Sequence, residues 1–406
     1  MRDLAPDKRL PEDIEAQSPV QAAAALGPVI RGYRDEIERE QRLPKALVEQ
    51  FHAAGFYSMV IPRSMGGLQL DPLTYVRVVE LLAEAAGSVG WNLANNSIAQ
   101  LVTLGLPDEG VREIFAHGPD TVVAGTAVMG GGRAVPVDGG YRVTGRWPFG
   151  TGCQESAWML GSFQILDGDQ PRRSPDGSSI HWRGVFERSD AQVVEGTWDV
   201  SGLRATGSFD WTVDDVFLPE RRVMVHAGVP LDNQWKRWSG VSYQLPAQAW
   251  VGPHHSAVIT GIARAGIEAL IELAGDKTPR GRTARLCDDP QVQDAVGRAD
   301  TILNAGRAYR RATITEVWNT VAGGEETTLE QRARCRLAAA YAADSARAAM
   351  DLMFRHGGST SYRRESRLSE CWRDLHVVGQ AVTLMPEWYP MGGRALLHMD
   401  PGPRLR

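Results

Sequence analysis

Apolar residues recur at helical spacing through the first part of the chain. Between positions 19 and 42, Val20, Ala24 and Tyr33 stand near this spacing, with charged residues between them. Such a pattern gathers the apolar side chains on one face of a helix. The first 120 residues are therefore predicted to form a helical bundle. Further helical patterns lie at 44–54, 72–86, 89–104 and 107–115.

Near Thr121 the pattern changes to the short alternating runs that are typical of strands. Residues 121–225 are rich in Val, Thr, Trp and Gly, with frequent turn signals. Asp138-Gly139-Gly140 stands between two alternating runs and predicts a hairpin turn. This part of the chain is therefore predicted to form a β domain. Its strands are predicted at 141–147, 157–165, 181–187 and 192–195.

Helical spacing returns after a Trp-rich connection at 226–250. Because both ends of the chain are helical, they are predicted to pack together, with the β domain inserted between them. The predicted fold class is α+β, with an N-terminal helical domain at 1–120, a central β-barrel or sandwich domain at 121–238 and a C-terminal helical bundle at 239–406. C-terminal helices are predicted at 256–274, 290–321, 328–355 and 367–378, followed by an irregular tail at 386–406.

Composition narrows the class of protein. Of the 406 residues, 43% are hydrophobic and 23% are charged, and the net charge is −5. These values are typical of a folded globular protein and argue against disorder. Since no basic block stands out, neither nucleic acid nor an anionic membrane surface is an expected partner. The apolar stretches are also shorter than the ~20 residues of a membrane span.

The cysteines and the N-terminus indicate a compartment. Cys153, Cys287, Cys335 and Cys371 are far apart in sequence, so neither a zinc site nor a disulfide framework is expected. The first residues include no apolar signal segment. These features together predict a protein of the reducing cytoplasm.

The sequence lacks the familiar catalytic motifs. No Gly-x-Gly-x-x-Gly follows a strand, and no P-loop, His-Glu-x-x-His or Gly-x-Ser-x-Gly occurs. Gly130-Gly131-Gly132 resembles a phosphate loop, but it opens a strand rather than a helix. His254 and His255 are adjacent, and neighbouring side chains face different ways, so no metal site is predicted there.

One segment combines residue types that suit a flat ring system. Positions 141–158 read YRVTGRWPFGTGCQESAW, which places aromatic rings, a hydroxyl group and two glycines at a strand end. An exposed Thr151, with free backbone N–H groups on Thr151 and Gly152, is predicted to bind a planar ring that forms hydrogen bonds. The alternative is a strand that ends in a glycine turn and buries ordinary core aromatics.

This segment also carries a family resemblance that covers nearly the whole chain. The chain resembles the acyl-CoA dehydrogenase superfamily, and more closely its branch of two-component flavin-dependent monooxygenases (group D), which hydroxylate phenols or oxidise sulfur or nitrogen. The motifs behind this resemblance are VIP at 60–62, SVGW at 88–91, DGGY at 138–141, GRWPFGTG at 145–152, TWDVSGLRATGS at 197–208 and WRDLH at 372–376.

The resemblance implies a C-terminal four-helix bundle, a homotetramer, and a flavin that lies between the β domain and the bundle. Thr151 is expected to contact the N5/O4 edge of the flavin ring. A neighbouring subunit completes the site. Arg282 or Arg285 is expected to neutralise the flavin phosphate from the start of a helix. The other expected flavin-binding residues are Trp147, Phe149, Gly152, Thr206 and Ser208, with Gly358, Ser359 and Thr360 reaching the flavin of the adjacent subunit.

The sequence departs from the family where acid–base chemistry is expected. Acyl-CoA dehydrogenases have a glutamate base soon after the Arg-Asp of the last helix, and Val382 stands near that position here. The phenol hydroxylases have two histidines, which Ala99 and Ala381 replace in this chain. Since proton abstraction from an acyl thioester is difficult without a positioned base, these departures disfavour dehydrogenation.

The function implied is a flavin-dependent monooxygenase that forms a C4a-hydroperoxyflavin and oxygenates a small or polycyclic aromatic, heteroaromatic or amine metabolite. Reduced flavin, FMNH2 or FADH2, is expected from a separate NAD(P)H-dependent flavin reductase, with O2 as the oxidant, in natural-product tailoring or aromatic catabolism. The expected catalytic residues are Thr151, as a hydrogen-bond donor to the peroxide, and His376, as a local acid or base. The expected substrate pocket contains Trp91, Asn95, Asn96, Ala99, Met129 and His254.

Two alternatives to the monooxygenase remain. One is an acyl-CoA dehydrogenase-like flavin dehydrogenase or oxidase. The other is a catalytically silent relative that serves as a binding subunit.

Overall fold

The computed structural model of the chain describes residues 10–126, 129–174, 177, 179–225, 234–402 and 404–405. Residues 1–9, which belong to the N-terminal stretch without a signal segment, lie outside this range. Residues 226–233 of the Trp-rich connection lie outside it as well. Within the described range, no helix is long and apolar enough to cross a membrane.

The N-terminal part consists of helices, as the apolar spacing predicts. The pattern at 19–42 predicts one helix, but the structure has two, because the backbone leaves the helical conformation at Tyr33, with φ −88° and ψ 2°. The fourth helix has an effective cap, since the Asp71 side chain accepts hydrogen bonds from the N–H groups of Leu73 and Thr74. The described helices of this part are α1 (Ser18–Gly32), α2 (Arg34–Glu40), α3 (Lys45–Ala53), α4 (Pro72–Ala85), α5 (Gly87–Thr103) and α6 (Asp108–Ile114).

A single sheet occupies the centre of the chain. Its strands run in the order β7-β8-β3-β2-β4-β6-β9, and β1 and β5 each pair with β4. The predicted hairpin is confirmed, because β2 and β3 pair antiparallel with Val137 opposite Gly140. The described strands are β1 (Val123–Gly125), β2 (Gly132–Val137), β3 (Gly140–Trp147), β4 (Trp158–Asp167), β5 (Gln170–Pro171), β6 (Trp182–Glu187), β7 (Gln192–Val194), β8 (Asp210–Pro219) and β9 (Val223–Val225).

Aromatic side chains fill the core of this sheet. Trp147 and Trp211 stack with their ring centroids 4.2 Å apart, and Phe186 packs against both. Both tryptophans are fully buried. A β-carbon at Gly161 would lie within 2.9 Å of each indole ring, so only glycine fits there without displacing them. Trp147 therefore occupies the position of a core residue.

The C-terminal part is again helical. Its tail was expected to be irregular, and this expectation is wrong for the last helix, which forms despite Pro390 and two glycines. A β-carbon at Gly392 would lie 2.6 Å from the Leu337 side chain, so glycine permits a close contact with the helix that contains Leu337. The described helices are α7 (Gln248–Val251), α8 (Pro253–Asp276), α9 (Pro290–Ala322), α10 (Leu329–Gly357), α11 (Arg367–Val378) and α12 (Trp388–Leu396).

The two helical parts pack against each other, as predicted from the pattern at both ends of the chain. Helices α4 and α8 meet at Gly261, where any β-carbon would overlap the carbonyl oxygen of Glu80. At the same crossing, the Glu80 carboxylate lies 2.9 Å from Arg307 and 3.1 Å from Arg310, both on α9. One hydrophobic core joins the N- and C-terminal helices. The fold is therefore a helical body with an inserted β domain.

Candidate functional site

The segment singled out in the sequence forms a tight turn after β3. Phe149 and Gly152 both have left-handed backbones, with φ of 64° and 72°. The N–H of Thr151 donates to the carbonyl of Phe149 at 2.8 Å, and the N–H of Gly152 donates to the carbonyl of Thr206 at 3.0 Å. The prediction that these two N–H groups are free is therefore wrong. Thr151 was also expected to be exposed, but it is buried, with a relative exposure of 4%.

Three hydroxyl groups form a chain at this turn. Thr151 Oγ1 lies 2.8 Å from Ser208 Oγ, and Ser208 Oγ lies 2.7 Å from Thr206 Oγ1. Thr206 Oγ1 donates to the carbonyl oxygen of Leu203 at 2.9 Å. All three hydroxyl-bearing residues are buried. The structure thus brings Thr151 to Thr206 and Ser208, which lie more than fifty residues later in the sequence.

Helix α11 positions the loop that carries Thr206 and Ser208. The carboxyl Oδ1 of Asp374 accepts a hydrogen bond of 2.7 Å from the N–H of Leu203. Leu203 has a left-handed backbone with φ 55°, which this bond helps to hold. Burial raises the pKa of the Asp374 carboxyl well above its ordinary value, and neighbouring Glu370 adds to the effect. Two sequence motifs, at 197–208 and 372–376, therefore act as one structural unit.

Two amide side chains of α5 support the turn from behind. Asn96 Nδ2 donates to the carbonyl oxygens of Val123 and Thr151, both at 3.2 Å. A β-carbon at Gly152 would lie 3.0 Å from the side-chain oxygens of both Asn92 and Asn96. Asn96 is 2% exposed. Asn96 was expected in the substrate pocket, but the structure places it as a support for the turn. Asn92 also lies against Gly152, and the sequence did not identify it as a site residue.

The face of α5 beside this turn is incompletely covered. Positions 91, 95 and 98 are only half-buried, at the i, i+4, i+7 spacing of one helix face, whereas most of their neighbours are buried. The Trp91 ring stacks on the His255 ring of α8, with centroids 4.4 Å apart and planes 9° from parallel. Asn95 Oδ1 lies 3.3 Å from His255 Nε2. Trp91, Asn95 and His255 thus form a cluster on this face of α5, called here the Trp91 wall.

His255 is held as a neutral imidazole. Its Nδ1 lies 2.6 Å from Thr383 Oγ1, and its Nε2 faces the amide oxygen of Asn95. These partners fit one tautomer, with the proton on Nε2 and Nδ1 accepting from Thr383. Burial lowers the pKa of His255 well below its ordinary value, and His254 and Arg336 lower it further. The ring therefore stays uncharged near neutral pH.

The ring of the adjacent His254 packs against the ring of His255, with centroids 3.7 Å apart. Its Nδ1 lies 3.2 Å from the carbonyl oxygen of Trp250, within the helical body. Burial lowers its pKa to about 3. His254 was predicted to be a substrate-pocket residue, but His255 is the histidine that contacts Trp91 and Asn95. Among the described residues, no group of three or more His, Cys, Asp or Glu side chains is placed to hold a metal ion.

Two further predicted pocket residues lie apart from this wall. Ala99 is 5% exposed and faces β1, where a β-carbon at Gly125 would come 3.4 Å from its methyl group. Met129 is exposed, on the segment that leads into β2. Phe149, expected to bind flavin, is 53% exposed, and its ring meets the edge of Trp198 at 6.2 Å.

The residues expected to bind phosphate lie at the opposite end of α8. Arg282 pairs with Asp289 at 2.6 Å, and Arg285 lies near Asp288. Lys277 Nζ donates to the carbonyl of Gly357 at 2.8 Å and to Thr360 Oγ1 at 3.0 Å, and so ties the 358–360 turn to the same end. At about 1.5 Å of rise per residue, Lys277 lies roughly 30 Å from His255 along the helix axis. Five residues that were predicted to bind flavin therefore lie at this end of α8, namely Arg282, Arg285, Gly358, Ser359 and Thr360.

His376 is placed away from Thr151. Its Nε2 lies 3.4 Å from Asp351 of α10, and its ring packs on Trp372 with centroids 4.4 Å apart. Asp374, two positions earlier on α11, faces the Leu203 loop instead. Because two helical residues differ by about 200° in direction, His376 points away from the hydroxyl chain.

One titratable residue near the turn was missed by sequence reasoning. Glu155 follows Gly152 by three positions, and its N–H donates to the carbonyl of Gly152 at 3.2 Å. Burial raises the pKa of its carboxyl to about 7. The residue lines a cavity of about 540 Å³ between the turn and the segment that joins α2 to α3. No local sequence signal distinguishes this glutamate from a surface one.

Comparison with known sequences supports the predicted family. Residues 21–109 match the acyl-CoA dehydrogenase N-terminal domain, and residues 254–385 match the acyl-CoA dehydrogenase C-terminal domain. The chain is 30% identical to an indole-3-acetate monooxygenase of Pseudomonas putida, over 94% of this chain and 96% of that protein. It is likewise 30% identical to the flavin-dependent monooxygenase oxygenase subunit HsaA of Mycobacterium tuberculosis, over 89% and 90%.

Solved structures agree with these sequence relationships. The HsaA monooxygenase of M. tuberculosis has a TM-score of 0.86 at 26% identity, covering 96% of this chain and 100% of that one. The 3-HSA hydroxylase of Rhodococcus sp. RHA1 shares the fold, with a TM-score of 0.88 at 24% identity over 97% and 100%. By sequence and fold, the chain belongs to the flavin-dependent monooxygenases that have the acyl-CoA dehydrogenase fold.

Proposed function

We propose that this monooxygenase takes reduced flavin from a separate reductase and uses O2 to oxygenate a small aromatic or heteroaromatic metabolite. The observation that carries the proposal is the buried hydroxyl chain of Thr151, Ser208 and Thr206 beside the half-covered face of α5. Two matched relatives are named as oxygenase components or subunits, which supports a separate reductase as partner. The flavin supplies the oxygen activation when it is bound.

The residues at the turn suit a flavin ring. Thr151 offers a hydroxyl group at the end of a hydroxyl chain, where a ring nitrogen can form a hydrogen bond. Gly152, at φ 72°, lets the turn pack closely against Asn92 and Asn96, where a β-carbon would lie 3.0 Å from both side chains. Asn96 fixes the Thr151 carbonyl, so the turn is rigid before any ligand arrives. Thr151, Gly152, Thr206 and Ser208 thus remain our proposed flavin contacts.

An aromatic substrate suits the wall formed by Trp91 and His255. Their nearly parallel rings and the half-buried Trp91 offer a flat surface on which another ring can stack. Asn95 can orient a polar substituent of such a ring. Relatives of this chain are named for indole-3-acetate and for resorcinol, which are both aromatic. We therefore propose a mono- or bicyclic aromatic substrate that carries a polar group.

The described stretch after α11 offers no carboxylate base for acyl-CoA dehydrogenation. In the stretch after α11, residues 379–385 include no Asp or Glu, and Val382 is 51% exposed at the expected position of the base. The phenol hydroxylases' histidine positions carry Ala99 and Ala381. His255 and Thr383 are polar groups in contact with each other, with His255 Nδ1 2.6 Å from Thr383 Oγ1. We propose that they orient the substrate, and that oxygen transfer needs no strong base at this wall.

We also propose that the flavin site is shared between subunits of a homotetramer. Arg282, Arg285 and the 358–360 turn lie roughly 30 Å along α8 from the Trp91 wall, farther than one flavin ring and its first phosphate extend. We therefore do not assign these groups to the flavin that Thr151 of their own chain contacts. They would instead bind the phosphate of a flavin held by a neighbouring copy.

The proposal is tested by supplying the chain with chemically reduced FMN or FAD and isotopically labelled O2, first alone and then with a flavin reductase and NAD(P)H. Indole-3-acetate and resorcinol serve as the first substrate probes. Incorporation of one labelled oxygen atom into an aromatic product is the expected result. Bleaching of bound oxidised flavin by an acyl-CoA, with no oxygenated product from a broad aromatic panel, would overturn it.

A further inference from the structure

The side-chain amide of Asn95 has a fixed orientation in the Trp91 wall. Its Nδ2 donates to the carbonyl oxygen of Trp91, one helical turn earlier, at 2.9 Å. A carbonyl oxygen only accepts hydrogen bonds, so an amide turned the other way would place two acceptors against each other. The nitrogen therefore faces the Trp91 carbonyl, and Oδ1 faces His255 Nε2 at 3.3 Å.

The ring of His255 agrees with this orientation. Because Asn95 Oδ1 accepts, the Nε2 atom of the imidazole carries the proton of that contact. Nδ1 then accepts from the hydroxyl group of Thr383, which lies 2.6 Å away. Each contact of the ring thus contains one proton, and the amide oxygen of Asn95 is engaged by the histidine.

One N–H of Asn95 is left for a ligand. The amide nitrogen has two hydrogens, and among the described residues its hydrogen-bond acceptor is the Trp91 carbonyl, which uses one of them. Asn95 is half-buried and lies on the incompletely covered face of α5, beside the Trp91 ring. An amide N–H only donates, so a molecule that stacks on this wall can engage it with an acceptor.

A buried positive charge lies near the same wall. Arg336 of α10 is 6% exposed, and its Nε and Nη1 form no hydrogen bond with any described residue. A β-carbon at Gly252, three residues before His255, would lie 3.5 Å from Nη1, which places the guanidinium group at the start of α8. The charge reaches the wall. Burial is the main cause of the lowered pKa of His254 and His255, and Arg336 lowers the pKa of both further.

This charge is not neutralised by the part of the chain that the structure describes. The guanidinium group of Arg336 lies over the ring of Trp388, 4.4 Å from its centroid, and this partner is uncharged. No described Asp or Glu forms a salt bridge with Arg336. Helix α8, which is 24 residues long, also begins here, and the N-terminus of a helix carries a partial positive charge. Both features favour a negative group at the wall.

We infer that Asn95 is a specificity-determining residue that selects aromatic substrates with an anionic hydrogen-bond acceptor, namely a carboxylate, and that the charge of Arg336 reinforces this choice. The inference deepens the proposed function and rests on the aromatic substrate proposed there. The substrate ring stacks on Trp91, and its carboxylate accepts the free N–H of Asn95. An ammonium substituent meets the same N–H group and the same positive charge, and is disfavoured.

The test measures Kd for three probes that share one ring system, with saturating reduced FMN or FAD under anaerobic conditions. Indole-3-acetate carries a carboxylate, indole-3-acetamide a neutral amide and tryptamine an ammonium group. One hydrogen bond to a charged group corresponds to roughly a 10- to 100-fold change in Kd. The wild type is therefore expected to bind indole-3-acetate roughly 10-fold or more tightly than tryptamine, with the amide between them.

Four variants and one control separate the two contributions. Asn95→Ala removes the free N–H and should weaken binding of indole-3-acetate roughly 10-fold, with little change for tryptamine. Asn95→Asp replaces the donor by a carboxylate and should reverse the preference. Arg336→Met should narrow the ratio between the two Kd values, whereas Arg336→Lys keeps the charge and should preserve it. Asn319→Asp adds a charge on the exposed surface of α9 and should leave the ratio unchanged.

The outcomes distinguish this inference from the proposed function. Equal Kd values for indole-3-acetate and tryptamine in the wild type, or a ratio that Asn95→Ala leaves unchanged, would contradict the inference even if the rings are bound and oxygenated. If no aromatic probe binds and no oxygenated product forms, the proposed function itself fails. Thermal unfolding verifies that each variant is folded, and Asn95→Ala decides the question if Asn95→Asp does not fold.

Discussion

Replacing Glu80 by Gln is expected to destabilise the helical body severely. Glu80 lies on α4, 5% exposed, and its carboxylate contacts Arg307 and Arg310 of α9 at 2.9 and 3.1 Å. Thr260 of α8 donates a further hydrogen bond to it. Arg310 is itself 4% exposed, so the substitution leaves a buried guanidinium without its countercharge. This network connects the N-terminal helices to the C-terminal bundle.

The magnitude can be worked from the carboxyl pKa. Burial alone would raise the pKa of Glu80, but Arg310, Arg307, Thr260 and Arg77 outweigh it and lower the pKa from 4.5 to about 2. At about 1.4 kcal/mol per pKa unit, the charged form contributes about 3 kcal/mol. Breaking a buried pair from one side typically costs about 3–5 kcal/mol. We therefore expect the free energy of unfolding to fall by about 3–5 kcal/mol.

The sign of the pH dependence follows from the lowered pKa. Below its ordinary pKa of 4.5, the unfolded state binds a proton that the folded state refuses until about pH 2. The stabilisation is thus complete above pH 4.5 and is lost as the pH falls toward 2. Wild-type stability should decline through this window, and the Gln variant should lack the part of the slope due to this carboxyl.

Urea-induced unfolding of the purified wild type and variant, at several pH values, measures both effects. Glu15→Gln is the matched control, since Glu15 pairs with Arg77 at 2.6 Å but has a side chain that is 62% exposed. It should change the free energy of unfolding by no more than about 0.5 kcal/mol. A Glu80→Gln protein that unfolds within about 0.5 kcal/mol of the wild type, with the same acid slope, would refute the reasoning.

Three further predictions concern packing, protonation and the flavin contact. Gly261→Ala should lower the free energy of unfolding by about 1–3 kcal/mol, because the added β-carbon overlaps the Glu80 carbonyl oxygen. Gly297→Ala on α9 should raise the free energy of unfolding by about 0.4–1 kcal/mol, because the space around Gly297 is open. Urea titrations of both variants measure the contrast. Since burial lowers the pKa of His254 to about 3, wild-type stability should fall as the pH drops below 6.5, and His254→Gln should flatten this decline in pH-dependent thermal unfolding. Thr151→Val should weaken binding of reduced flavin roughly 10-fold in an anaerobic titration, whereas Thr151→Ser should retain it; equal affinities for both variants would contradict a role for the hydroxyl group.

Local patterns predicted most of the helices and strands of this fold. Helix α9 lies at Pro290–Ala322 where apolar spacing predicts 290–321, and β2 and β3 form the hairpin that Asp138-Gly139-Gly140 indicates. Such features depend on residues close in sequence, so a local pattern contains them. The helix at Trp388–Leu396 escaped prediction because Gly392 serves a contact with α10, a partner that no local pattern reveals.

For the candidate site, the family resemblance selected several correct neighbours but not their roles. Thr151, Thr206 and Ser208 do meet, and Trp91 and Asn95 do share a face. In the structure, however, His255 rather than His254 contacts Trp91 and Asn95, and Asn96 supports the turn.

The sequence by itself determined the helical and alternating patterns, the inserted β domain, the family and the residue types at the flavin turn. Only the tertiary structure decided which of two adjacent histidines faces Trp91 and that the hydroxyl groups of Thr151, Ser208 and Thr206 meet. The reason is physical. A residue type fixes how many hydrogen bonds a group can donate or accept, but the partners that use them, such as the Leu203 carbonyl oxygen, are brought together only by folding.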